Sequence, residues 1–182
     1  MKKFKQGIIL VLMISLLSAC SKIPQQKKEE NISTDNNAVL ERDKDVLTPK
    51  EIADAFKKET NNAYKIKSIE FINASKTYKI DGYGKNDEIE MKLDGKTGGV
   101  IVQNLDDLDK NNHEITDKHL ESIDKIVDLS LADAKGSYKL KDWELEYDVK
   151  RFELSVELVD NNQNDIDYTY DIETEKLIEK DI

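Results

Sequence analysis

Few residues in this chain have the type and spacing to do chemistry. Among 182 residues there is one cysteine, Cys20, and there are two histidines, His113 and His119. A hydrolytic triad or a zinc site needs at least one of those histidines with matched partners. No such spacing surrounds either, and both are expected to be exposed residues of a helix or linker. Gly95-Lys96-Thr97 invites comparison with a phosphate loop, but the glycine required five residues earlier is Glu90 and no helix follows, so it reads as a strand-ending turn. Asp107, Asp109 and Asn111 have the alternate spacing of calcium ligands, as do Asp160, Asn162 and Asn164. Neither stretch has glycine at the sixth position, and the twelfth is Lys118 in one and Asp171 in the other, so both read as solvated loops. Carboxylate pairs for acid–base work cannot be singled out among 38 acidic residues. No catalytic residue, metal ligand or cofactor is therefore assigned.

The composition narrows the class. Lys and Arg number 28 against 38 Asp and Glu, a net charge of −10, and phosphate backbones need a basic face, so no nucleic-acid partner is expected. A hydrophobic fraction of 38% excludes a membrane-embedded bundle, and one cysteine excludes an internal disulfide.

Cys20 has a setting of its own. Lys2, Lys3 and Lys5 precede an apolar run from Ile8 to Leu17. That run is about half the roughly 20 residues a bilayer-spanning helix needs, so it reads as the core of an export signal. Leu17-Ser18-Ala19-Cys20 resembles the lipobox of bacterial lipoprotein signals. The resemblance implies that residues 1–19 are removed and that Cys20 carries lipid, which holds the protein to the outer, extracytoplasmic face of the cell membrane, on a Gram-positive cell surface. Several acyl chains anchor stably where one is marginal. Residues 20–46 are rich in Lys, Gln, Glu, Asn and Asp, with too few apolar side chains for a core, and read as a flexible tether.

The remaining chain carries the same pattern twice. Tyr64-Lys65-Ile66-Lys67 recurs as Tyr138-Lys139-Leu140-Lys141, and the block from Glu88 to Ile101 matches Asp165 to Ile178. Each copy opens with a helix. Thr48-Pro49-Lys50-Glu51 is a capping box with proline at the first helical position, and Leu47 with Ile52 supplies a hydrophobic staple. In the second copy Thr116 is the cap, His119 stands where the capping carboxylate would be, and Leu120, Ile123, Val127, Leu131 and Ala134 follow at helical spacing. The period then changes to two: Ile69 and Phe71, Tyr78 and Ile80, and Ile89, Met91 and Leu93 in the first copy. Trp143 and Leu145, Phe152 to Leu158, and Ile166, Tyr168 and Tyr170 follow in the second. Alternation means one buried and one wet face, so the expected fold class is α+β, two tandem units each of one helix on a three-stranded antiparallel sheet. The boundaries expected are 47–102 for the first unit, 103–114 for a polar connector and 115–182 for the second.

These residues resemble the PepSY family, found in peptidase propeptides and spore-germination membrane proteins. The resemblance rests on the ending Ile89-Glu90-Met91-Lys92-Leu93-Asp94-Gly95-Lys96-Thr97-Gly98-Gly99-Val100 and on Trp143-Glu144-Leu145-Glu146-Tyr147. The second ending keeps Asp171 and Thr174 but has Glu175 where glycine is usual, which puts the geometry of that turn in question. The resemblance implies a non-catalytic protein that acts by binding other proteins, with regulation or inhibition of a cell-surface peptidase as the family's suggested role.

One surface feature goes with that reading. Alternation turns Asp142, Glu144, Glu146, Glu153, Glu157, Asp165 and Asp167 to the wet face of the second sheet, with Arg151 the main basic exception. The first sheet mixes Glu70, Asp81, Glu88 and Glu90 with Lys79 and Lys92. A solvated face accounts for such a pattern. A docking face for a cationic envelope protein accounts for it too, with Glu144, Glu146, Glu153, Glu157 and Asp167 at its centre. Contact would then be through surface complementarity or through pairing of an extended segment with an exposed strand edge. The alternative function is a small-ligand or cation-binding envelope lipoprotein.

Overall fold

The computed structural model describes residues 45–182; the export signal, Cys20 and nearly all of the tether lie outside the described residues. The element order is α1 (Pro49–Glu59), β1 (Lys65–Ile72), β2 (Thr77–Tyr83), β3 (Asp87–Asp94), β4 (Val100–Asp107), α2 (Asp117–Ala134), β5 (Lys139–Asp148), β6 (Arg151–Val159), β7 (Asp165–Asp171) and β8 (Lys176–Asp181).

The first helix starts where its caps dictate. Thr48 Oγ1 accepts from the Glu51 N–H at 3.2 Å, and a Glu51 carboxylate oxygen accepts from the Thr48 N–H at 2.8 Å. Ile52, Ala53 and Phe56 point from α1 into the core. Phe56 lies so close over β2 that a Cβ on Gly82 would stand 2.6 Å from its ring, which is why glycine occupies a strand interior there. In α2 the capping role falls to His119, whose Nδ1 accepts from the Thr116 N–H at 3.2 Å. This helix buries Leu120, Ile123, Ile126, Val127 and Ser130, while Leu131 and Ala134 are only partly buried. Asp117, in the first turn of α2, ties that helix to both ends of α1, taking Lys50 at 2.8 Å and Lys57 at 3.0 Å. Those two ammonium groups hold the Asp117 carboxyl below the usual range.

The sheet corrects the expectation of two tandem three-stranded units. All eight strands form one antiparallel sheet in the order β4-β3-β2-β1-β5-β6-β7-β8. The seam is β1 against β5, in the register Ile69↔Leu145, Glu70↔Glu144, Phe71↔Trp143 and Ile72↔Asp142. Asn73 extends it, its side-chain amide donating to Leu140 O at 2.6 Å. Two half-sheets of about 60 residues each have little core of their own. Joined edge to edge, they share one: Phe71, Tyr78 and Trp143 meet across the seam with ring centroids 4.8 to 6.2 Å apart. The joint also removes two strand edges that would otherwise be exposed.

Each half has a fourth strand that alternation did not reveal. Every residue of β4 and of β8 is exposed, so neither strand has a buried face to write a period into the sequence. β4 runs on to Asp107, into the stretch expected to be connector. The turns that lead into these strands are alike. Asp94 Oδ1 accepts from the N–H of Thr97 at 2.8 Å, and Asp171 Oδ1 accepts from the N–H of Thr174 at 2.9 Å. Gly98 has φ +69° and Glu175 φ +55°, so the second turn keeps its left-handed residue without glycine. The Glu175 carboxylate meets the Lys125 ammonium of α2.

Candidate functional site

The sheet has one face under the helices and one face with no element on it among the described residues. Ile69, Phe71, Tyr78, Ile80, Met91, Leu93, Trp143, Leu145, Leu154, Val156, Ile166 and Tyr168 point to the helices and are buried. The alternate residues form the other face, and strand register fixes which of them meet.

Glu144, Glu146, Glu153, Glu157 and Asp167 share that open face. Glu146 stands directly opposite Glu153, Glu157 opposite Asp167, and Glu144 opposite Ser155. Around them are Asp142 opposite Glu157, and Asp181 on β8 opposite Asp167. The seam brings a residue that the sequence placed on another sheet: Glu70 lies directly opposite Glu144. Like charges opposite one another weaken a sheet. Sequence reasoning missed Glu70 and Asp181 as members because their neighbours are set by long-range strand pairing, which leaves no local signal.

The two halves of the face differ in how their acids are balanced. On the first half Lys79 reaches Glu90 at 3.1 Å and Asp81 at 3.8 Å, and Lys67 reaches Glu88 at 2.9 Å. On the second, Arg151 Nε reaches Glu153 at 2.7 Å, and Lys141 meets Glu157. Among the described residues, Glu144, Glu146 and Asp167 take part in no ion pair. Desolvation on the sheet, then repulsion from Glu146 and Glu70, pushes the Glu144 carboxyl above the usual range. Asp167 is raised by desolvation and by Glu157 and Asp165, and Asp142 by desolvation with Glu157 adding to it. A cation arriving here meets carboxylates whose charge is not already neutralised.

The remaining candidates are placed elsewhere. His113 is exposed and stacks on Tyr147, with ring centroids 3.5 Å apart. His119, expected on the surface, is buried at 6% exposure beneath Phe152. Its Nδ1 is engaged as the helix cap and its Nε2 stands 3.7 Å from Glu173. Burial lowers its basicity, and Glu173 offsets this only in part. The correction has a simple cause: a neutral imidazole can serve as a capping acceptor, and a ring at that position then packs inward. Gly95-Lys96-Thr97 is the β3–β4 turn, held by Asp94. Asp160 spends its carboxylate on its own loop, Oδ1 accepting from the N–H of Asn162 at 2.7 Å and of Asn164 at 2.9 Å. Among the described residues no three His, Cys, Asp or Glu side chains converge as metal ligands, and no helix is long and apolar enough to cross a membrane.

No family model and no curated protein matches the sequence. A solved structure does share the fold: a protein of Clostridium difficile 630 described as a candidate lipoprotein, with a TM-score of 0.60 and 19% identity. The match covers 76% of this chain and 95% of that one.

Proposed function

We propose that this chain is a lipid-anchored, non-catalytic protein of the outer membrane face that binds a cationic envelope protein on the open face of its sheet. The observation that carries the reading is that Glu144 and Glu146 on β5 and Asp167 on β7, carboxylates without ion pairs, share a face that no element covers among the described residues. A fold gains nothing in stability from opposing carboxylates, whereas a basic partner gains both steering and contact energy from them. The lipobox ending at Cys20 supports attachment through lipid, and the fold's occurrence in a candidate lipoprotein of Clostridium difficile agrees with it. The PepSY-like patterns around Asp94 and Asp171 extend the reading to a narrower one, in which the partner is a surface peptidase whose activity is restrained. The use of the His119 imidazole as a cap acceptor supports a role without catalysis.

The test is carbodiimide coupling in intact cells, which joins carboxylates to lysine amines in contact with them. The expected result is a discrete adduct coupled through Glu144, Glu146 or Asp167. The double variant Glu144→Lys with Asp167→Lys places a cation opposite Glu70 and another opposite Glu157 and Asp181, so it should fold at least as well. It should also lose the adduct. An adduct that survives in that variant contradicts the assignment of the face.

A further inference from the structure

The two outer edges of the sheet are built differently. β8 is blunted in the way soluble sheets usually protect an edge. Four of its six residues are charged, and Lys180 is fixed against Asp133 at 2.7 Å and over the Tyr168 ring at 5.1 Å. β4 begins Val-Ile-Val-Gln-Asn-Leu, with no charge, proline or glycine in six residues. Val100, Ile101, Val102 and Leu105 are 41, 51, 44 and 61% exposed. Among the described residues nothing pairs with the outer side of this strand. A segment of high β-propensity and no charge, left at an edge with free backbone groups, is a template for an added strand.

The charge around the strand selects what is added. Among the strand's own residues acids lie only at its C-terminal end, where Asp106 and Asp107 are followed by Asp109. Among the described residues, Asp106 and Asp107 have no ion pair, and Glu88 lies directly opposite Asp106 on β3. The whole sheet is antiparallel, and an antiparallel strand on this edge brings its own N-terminal end to Asp106 and Asp107. We infer that the outer edge of β4 binds an extended segment of another protein by antiparallel strand addition. That segment leads with Lys or Arg and continues with alternating β-branched residues. Backbone pairing supplies affinity, the apolar side chains of Val100, Val102 and Leu105 supply burial on both faces, and the aspartates set direction. A second copy of this chain fits less well. The cation that precedes its β4, Lys96, lies in the β3–β4 turn within 3.6 Å of Asp45, and each chain carries a net charge of −10. The inference uses a different surface from the open face and does not depend on it.

The experiment uses the full chain in detergent with two capped peptides, KKTVTVTV and its charge-reversed order VTVTVTKK. The first should bind about ten-fold or more tightly than the second, and its binding should slow hydrogen exchange at the amides of residues 101–105. Ile101→Lys should weaken binding by about ten-fold with an unchanged circular dichroism spectrum; Leu105→Lys, at the most exposed apolar site of the strand, provides a second variant should the first disturb the β3–β4 pairing, whose register shifts at Ile101, between Lys92↔Val102 and Leu93↔Val100. Glu144→Lys with Asp167→Lys should leave peptide binding unchanged. Equal binding of the two peptides, protection at some other strand, or indifference to both lysine variants would overturn the inference. Concentration-dependent self-association that protects the same amides without peptide would also overturn it, in favour of a second copy as the occupant.

Discussion

Trp143 and Phe71 face one another across the β1–β5 seam, 5% and 6% exposed, with ring centroids 6.2 Å apart. A buried tryptophan removes on the order of 200 Å² from water, worth about 5 kcal/mol at about 25 cal/mol per Å². Truncation to alanine is therefore expected to cost about 3–5 kcal/mol. Two alanines together would approach the whole stability of a domain, about 5–15 kcal/mol. The informative measurement is thus a double-mutant cycle with the milder Trp143→Leu and Phe71→Leu. Tyr78 packs against both rings, so the aromatic contacts are shared. The cycle should show a coupling of about 0.5–1.5 kcal/mol. Urea unfolding followed by far-ultraviolet circular dichroism is the assay, because Trp143 is the chain's single tryptophan and its fluorescence is lost in the variants that replace it. A single transition with that coupling is the expected result. Additive losses within about 0.3 kcal/mol, or two separate transitions, would mean that the half-sheets do not share a core.

Two further outcomes follow from single side chains. Burial keeps the His119 imidazole less basic than in the unfolded chain, so the unfolded state takes up the proton first and stability should fall as the pH drops below about 6.5. The raised carboxylates of Glu144 and Asp167 act in the opposite direction, losing stability as pH rises, so the assay compares the chain with His119→Gln, which keeps an acceptor for the Thr116 N–H. The variant should flatten the slope between about pH 5 and 7, and an unchanged slope contradicts the neutral cap. Cys20→Ala should abolish labelling by radioactive fatty acid and release the protein from the membrane fraction; full retention contradicts the anchor.

Much of the architecture was legible wherever one side of an element is buried. The Thr48–Glu51 capping box, the strand runs at Ile69, Tyr78, Ile89, Trp143, Phe152 and Ile166, and the loop at 160–164 all lie where period and turn chemistry place them. β4 and β8 were illegible because exposure on both faces leaves no alternation. The seam was illegible because Phe71↔Trp143 joins residues far apart in sequence, and nothing local distinguishes an edge that will pair from one that will not. The same gap hid Glu70 from the acidic face. The five carboxylates placed there from period alone do share it, since alternation decides facing whatever the order of the strands. His119 shows a different limit: its capping position was readable, but its burial follows from Phe152, which arrives from another strand.

A partner held to the open face by charge is released as salt screens the carboxylates. The carbodiimide partner, once identified and purified, is titrated against the full chain from roughly 50 to 500 mM sodium chloride, a range over which screening shortens from beyond to well within the span of the acidic face. Such a complex should lose affinity steeply with salt, and the Glu144→Lys, Asp167→Lys variant should show a flat, weak dependence. Tight binding indifferent to salt would contradict binding through charge.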